Sequence, residues 1–224
     1  MQEPSDQQRQ LLSLHLELVL EANEKTNITR ITSLEEGTLL HIEDSLAALP
    51  ELQQAPAGKY ADLGTGGGFP GIPLAIMSER QTLLVDSVGK KTAILDRIIE
   101  QLYLEKQVGT YTGRIEDLAR EQPASFSVLT ARALSKLPSL IELGSPLLTE
   151  GGMMICYKAQ VEQDEIFQAQ ALEEKTGMRL VSDRSFSLSD GTTKRRIITF
   201  EKVAQPVIFL PRKTGLAQKR PLKP

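Results

Sequence analysis

Ten consecutive residues, Asp62-Leu63-Gly64-Thr65-Gly66-Gly67-Gly68-Phe69-Pro70-Gly71, combine an acid with a run of glycines. They begin in a short apolar stretch, 60–63, that reads as a strand, and they lead into 73–77, which reads as a helix with Pro73 in its first turn. In open α/β sheets, ligands bind at the carboxyl ends of strands, where such a loop would sit. Glycines there permit positive φ and let the backbone approach a ligand closely. A second acid, Asp86, ends the next strand and lies 20 residues after Gly66. A carboxylate at that spacing can accept both hydroxyls of a ribose. Loop and acid together point to a nucleoside-bearing cofactor.

The loop discriminates among such cofactors. A dinucleotide needs helix-opening amides beneath its pyrophosphate. The frame from Gly66 to Gly71 fits Gly-x-Gly-x-x-Gly, but Pro70 removes an amide from it. The frame starting at Gly64 has Phe69 in third place. A P-loop is excluded because no Gly-Lys-Ser/Thr run is present. The acid-x-Gly-x-Gly-x-Gly arrangement from Asp62 to Gly68 suits S-adenosylmethionine better. That cofactor has no phosphate to cradle, and its ammonium can be held by Asp62 directly or through water. Two other readings stand beside it. A nicotinamide-dependent oxidoreductase is disfavoured by Pro70 and by the lack of a Tyr-x-x-x-Lys pair. A non-catalytic RNA-binding assembly factor would keep the loop only as a vestige.

The elements that must position these residues follow an alternating rhythm. Strands at 60–63, 82–86, 108–112, 126–130 and 153–157 alternate with helices at 73–77, 90–104, 115–120, 137–148 and 163–175. Two further strands, 179–188 and 195–202, flank Ser189-Asp190-Gly191-Thr192 as a hairpin. The rhythm predicts an α/β fold whose sheet is mostly parallel and carries an antiparallel C-terminal hairpin. Upstream, 6–50 reads as helical around Leu11, Leu14 and Leu18 with neighbouring Leu12 and Val19, interrupted at 23–32. Ser33, with Glu36 three residues on, starts a second helix that continues to Pro50. The expected organisation is an N-terminal helical region (1–52), an α/β domain (53–202) and a basic tail (203–224).

Composition narrows the class. The 224 residues are 40% hydrophobic and 25% charged, enough for a sizeable core. One cysteine, Cys156, rules out an intramolecular disulfide and a cysteine-based metal site. The two histidines, His15 and His41, make a zinc hydrolase a poor candidate, and no metal is expected. No apolar stretch approaches the ~20 residues of a membrane span. The opening residues carry neither a basic segment nor an apolar one, so a soluble, cytoplasmic protein is expected. Net charge is −3, yet residues 202–224 hold six basic side chains and no acidic ones, which leaves 20 basic against 29 acidic upstream. An acidic body with a basic tail suits either a polyanionic partner or a solubilising terminus.

The chain resembles the small-subunit ribosomal RNA guanine-N7 methyltransferase G family, also called glucose-inhibited division protein B. The matching pieces are Lys25-Thr26-Asn27-Ile28-Thr29, His41-Ile42-Glu43-Asp44-Ser45-Leu46, the loop from Asp62 through Ile72-Pro73-Leu74-Ala75, Val85-Asp86-Ser87-Val88-Gly89-Lys90-Lys91 and Thr130-Ala131-Arg132-Ala133. The resemblance implies a class I S-adenosylmethionine-dependent methyltransferase with a Rossmann-like seven-stranded sheet. It further implies methylation of N7 of a guanine, nucleotide 527 of 16S ribosomal RNA in standard numbering, with that RNA or the small ribosomal subunit as partner and a monomeric enzyme.

Residue by residue, it assigns Asp62, Gly64, Thr65, Gly66, Gly68 and Phe69 to the cofactor loop and Asp86 and Ser87 to the ribose end. Ile115 and Glu116 are assigned to the adenine, and Arg132 to the cleft between cofactor and substrate. Lys90, Lys91 and Lys158 are candidates for RNA contact, as are Arg212, Lys213, Lys219 and Arg220 in a tail that resembles an extension found in part of the family. Guanine N7 carries no proton, so no general base is required, and Arg132 is expected to orient rather than to move a proton. Plainer readings remain for several residues. Asp62 can cap loop amides, Arg132 can pair with a structural carboxylate, and Glu116 can complement a helix dipole. His41 reads as a helix-face residue, Asn27 as a turn former and Cys156 as buried packing.

Overall fold

In a strand, successive side chains enter opposite faces of the sheet, and here both faces are apolar. Tyr60, Val128, Ile155 and Ile197 enter one buried layer, while their immediate successors Ala61, Leu129, Cys156 and Ile198 enter the other. A sheet buried on both sides requires helices on both sides. The computed structural model describes residues 3–224. Its strands are β1 Tyr60–Leu63, β2 Thr82–Asp86, β3 Val108–Thr112, β4 Phe126–Arg132, β5 Leu148–Lys158, β6 Met178–Ser187 and β7 Lys194–Lys202. Its helices are α1 Asp6–Lys25, α2 Leu34–Gly37, α3 Asp44–Leu46, α4 Leu49–Gln54, α5 Gly71–Ser78, α6 Gly89–Gln101, α7 Ile115–Glu121, α8 Leu137–Gly144, α9 Gln163–Gln170, α10 Glu173–Thr176 and α11 Leu216–Lys219.

The strands form one sheet in the order β3-β2-β1-β4-β5-β7-β6. β1 to β5 pair in parallel, and β7 runs antiparallel to both β5 and β6. The expected parallel sheet with a C-terminal hairpin is the sheet that forms. Its order reverses between β1 and β4, which opens a crevice at their carboxyl ends. The glycine loop after β1 and Arg132 at the end of β4 both lie there.

The N-terminal region shares the core of the sheet. α1 starts at a capping box in which Ser5 and Gln8 bond each other's backbone amides. It buries Leu12, His15, Leu16 and Val19, a stripe at helical spacing, against α5 and α6. The stripe is rotated from the expected Leu11, Leu14 and Leu18: Leu14 is 37% exposed. Ser33 caps α2 as expected, its hydroxyl accepting the Glu36 amide at 3.2 Å. The helix expected to run to Pro50 is broken, however, by a π-helical turn over Thr38–Glu43. Such turns are rare and recur at functional sites. Two other helices are shorter than expected. The one beginning at Leu137 stops at Gly144, because the chain enters β5 at Leu148. The one beginning at Gln163 splits into α9 and α10 and ends at Gly177, in the left-handed conformation with φ 70°.

Candidate active site

The loop between β1 and α5 depends on positive φ at Gly64 (73°), Gly66 (58°) and Gly68 (86°), which glycine reaches without strain. Gly64 and Thr65 donate their amides to the Val85 carbonyl at 2.8 and 3.0 Å. Asp86 then ties loop and strand together. Its carboxylate accepts the Gly66 amide at 3.2 Å and the Val88 amide at 2.9 Å. A side chain at Gly68 would meet Ile72 at 2.8 Å and His15 Nε2 at 3.0 Å, whereas one at Gly66 would project into open space.

Asp62 has no exposed surface. Its carboxylate accepts the Thr130 hydroxyl at 2.7 Å and the Gly71 amide at 3.0 Å, and Tyr60 in turn donates to Thr130 at 2.7 Å. Burial raises its pKa, opposed by these donors and by the charge of Arg132. Asp62 therefore pins α5 to β1 and β4 and does not line the cleft, so the amide-capping reading describes its contacts. Phe69 is also away from the cleft surface. It stacks on His41 with centroids 4.3 Å apart and touches His15 at the same distance. His15 Nε2 lies 3.1 Å from the Gly67 carbonyl and so carries the ring proton, and burial pushes the His15 pKa down to about 3.

Two cavities flank the end of β4. The first, about 250 Å³, is lined by Gly64, Asp86, Ser87, Ile115, Glu116 and Gln218, among others. It brings together the ribose and adenine candidates, from the segments after β2 and β3, with Gly64 from the loop after β1. Thr65, Gly66, Gly68 and Phe69 shape the loop behind it without lining it. The second cavity, about 660 Å³, is lined by Arg30, His41, Asp44, Arg132, Lys158 and Arg195, among others. Ala133 and Leu134 line both. Ala133 has φ 54°, unusual for a residue with a Cβ, at the partition between the two.

The second cavity is organised around Arg132. Its Nη1 donates to Asp44 at 3.1 Å and to the Leu40 carbonyl at 3.0 Å in the π-helical turn, and its Nη2 lies 3.3 Å from His41 Nδ1. A guanidinium only donates, so Nδ1 accepts and Nε2 carries the proton, which it gives to Thr29 Oγ1 at 2.8 Å. Burial, and then the Arg132 charge, push the His41 pKa down to about 4. Arg195 donates to the other Asp44 oxygen at 3.0 Å. One buried carboxylate thus holds two arginines. The expectation that Arg132 pairs with a structural carboxylate and the expectation that it faces the cleft both describe it.

The other basic candidates divide. Lys90, Lys213, Lys219 and Arg220 are exposed, and Lys91 is 3.9 Å from Asp86. Lys158 lines the second cavity but is bound to Glu165 at 2.8 Å and to the Ser135 carbonyl at 2.9 Å. Arg212, another candidate for RNA contact, is paired: its Nε and Nη2 both donate to the buried Glu142 at 2.6 Å. Sequence reasoning gave no role to Arg30, Asp44, Arg195 or Gln218. It also read His41 as a bystander and Asn27 as the turn former, where the Asn23 side chain instead accepts the Ile28 and Thr29 amides at 2.9 and 3.0 Å. The available signal was the pair of motifs at 25–29 and 41–46, whose polar residues close one wall of the second cavity.

Among solved structures, an O-methyltransferase from Bacillus cereus in complex with SAH superposes with a TM-score of 0.58 at 20% identity, over 84% of this chain and 90% of that one. A geranyl diphosphate methyltransferase in complex with SAM gives 0.58 at 12% identity, over 71% of this chain and 84% of that one. At these identities the likeness is one of fold, that of class I methyltransferases. Sequence relatives are nearer. The ribosomal RNA small subunit methyltransferase G of Desulfitobacterium hafniense is 38% identical over 98% of this chain and 92% of its own length. That of Streptococcus suis is 34% identical over 97% and 93%. The model of the family described as rRNA small subunit methyltransferase G matches residues 8–197. This chain belongs to that family.

Proposed function

We propose that the protein transfers a methyl group from S-adenosylmethionine to N7 of a guanine in 16S ribosomal RNA, the family expectation being nucleotide 527. The observation that carries this is the pair of cavities meeting at Ala133 and Leu134, one lined by Asp86 and Glu116 and the other by Arg30, Arg132 and Arg195.

The first cavity fits the cofactor by its donor set. Asp86 and Glu116 offer acceptors for hydroxyl and amine hydrogens. S-Adenosylmethionine, when bound, supplies a methyl group on a positively charged sulfur. Asp86 would hold the ribose, Gly64 would line its path, and Ile115 would pack on the adenine.

The second cavity would receive the base. Arginine pairs readily with the acceptors of guanine's N7 edge. For methylation N7 must stay free, so Arg132 would engage O6 or a neighbouring phosphate. The N7 lone pair would accept the methyl group with the thioether as leaving group, so the chain's own residues would have only to bind and orient the two partners. No proton moves. His41 is suited to this, since its Nδ1 accepts from Arg132 and its ring stays neutral. Catalysis then rests on positioning, and the cradle of Asp44, Leu40 and His41 positions Arg132. Lys90, Lys213, Lys219 and Arg220 are exposed and would be free to contact phosphates.

The test is transfer from labelled S-adenosylmethionine to small-subunit RNA and to particles lacking the modification, followed by mapping of the label. Label at N7 of one guanine is the expected result. Cofactor binding without transfer to either substrate, or label on another atom, overturns the proposal.

A further inference from the structure

The tail folds back onto the nucleoside cavity. Arg212 grips Glu142 of α8, and Arg120 of α7 donates to the Arg212 carbonyl at 3.0 Å. Ser139 donates to the Ala217 carbonyl at 2.8 Å, and Ala217 is 1% exposed. Gly215, with φ 78°, donates its amide to Glu116 Oε1 at 2.6 Å. Directly after these anchors, the solvent-exposed Gln218 lines the cavity. Its amide makes no hydrogen bond with any described residue.

A glutamine amide presents one donor and one acceptor side by side, and adenine offers the complementary pair along the edge that carries N6. Glu116 is an acceptor only. With Oε1 held by Gly215, its other oxygen remains for an amine hydrogen. We infer that residues 212–218 form a built wall of the cofactor site and that Gln218, with Glu116 fixed by Gly215, recognises the adenine of S-adenosylmethionine. This rests on the cofactor reading above. It gives the tail a task separate from the phosphate contacts of its lysines.

The experiment is calorimetric titration of the full chain with S-adenosylhomocysteine and, separately, with adenosine. It compares the wild type with Gln218→Ala and with Gly215→Pro, which removes the amide donor and cannot adopt a φ of 78°. Loss of the side-chain contact in Gln218→Ala should weaken both ligands alike, by about three- to ten-fold. Gly215→Pro should lose at least as much. In methyl transfer, Gln218→Ala should raise KM for S-adenosylmethionine while kcat and the KM for RNA hold. Wild-type affinity in either variant overturns the inference. So does a loss for S-adenosylhomocysteine that adenosine does not share, because the contact would then lie away from the base. A wild type that binds neither ligand overturns the cofactor reading itself, a result distinct from any pattern among the variants.

Discussion

Asp44→Asn tests the cradle that holds the second cavity together. Asp44 has 5% of its side chain exposed and binds Arg132 through one oxygen and Arg195 through the other. Asparagine keeps one acceptor and turns its NH2 toward the second guanidinium, which can only donate. A charge-assisted hydrogen bond contributes about 1.5–3 kcal/mol, and removing one partner of a buried ion pair costs about 3–5 kcal/mol. The arginines retain 16% and 19% exposure and open onto the cavity, so water screens part of the loss. A cost of about 2–3 kcal/mol follows. With a urea m-value of about 2–3 kcal/mol/M, the unfolding midpoint should fall by about 1 M. Far-UV circular dichroism in urea measures it. Because Asp44 does not line the nucleoside cavity, S-adenosylhomocysteine affinity should stay within about two-fold. A misplaced Arg132 should raise the KM for RNA about ten-fold, equivalent to about 1.4 kcal/mol. A midpoint shift below about 0.3 M with an unchanged KM for RNA would refute the reasoning.

Three more expectations follow from the same geometry. The unfolded chain protonates its histidines near 6.5, whereas His41 resists to about 4 and His15 to about 3, so the folded state binds fewer protons in that window. Stability is full above pH 6.5 and falls as pH drops toward those values, by about 1.4 kcal/mol per unit for each histidine. His15→Phe should make the urea midpoint fall about half as steeply between pH 6 and about 4.5, and an unaltered slope contradicts it. Gly66→Ala places a side chain in open space and should cost only the left-handed strain, about 1–2 kcal/mol, while Gly68→Ala adds about 1–3 kcal/mol of overpacking against Ile72, His15 and Leu95. Equal melting temperatures for the two variants would exclude that difference. Replacing Lys213, Lys219 and Arg220 with glutamine should reduce the salt-dependence slope of RNA binding by up to about two, at ~0.7 per phosphate contact. A slope equal to that of the wild type places those residues away from RNA.

Much of the first cavity was legible in the chain. Three features marked it: the Gly64-to-Gly68 spacing, the acid 20 residues beyond Gly66, and the alternation of strands with helices. The parallel register of β1 on β2 then places the loop beside the end of the next strand, where Asp86 meets the Gly66 amide. The second cavity was far less legible. The widened turn at Thr38–Glu43 leaves no mark in helical periodicity, so His41 read as one more face residue. Phe69 read as a loop residue near a ligand, but its ring stacks on His41 and also touches His15, from two distant helical segments.

What the sequence by itself determined was the order and type of the elements and the position of the glycine loop, because both depend on neighbours within a few residues of backbone. Tertiary structure alone decided which charges became partners. Arg132 lies 88 residues from Asp44, Arg195 lies 151 residues from it, and Gly215 lies 99 residues from Glu116. The chain carries 29 acids and 26 lysines and arginines, and nothing in their spacing selects one pair over another. Folding selects it: an acid carried into the interior by apolar neighbours must meet a cation or donor there, since leaving its charge unpaired costs more than any alternative arrangement of the surface.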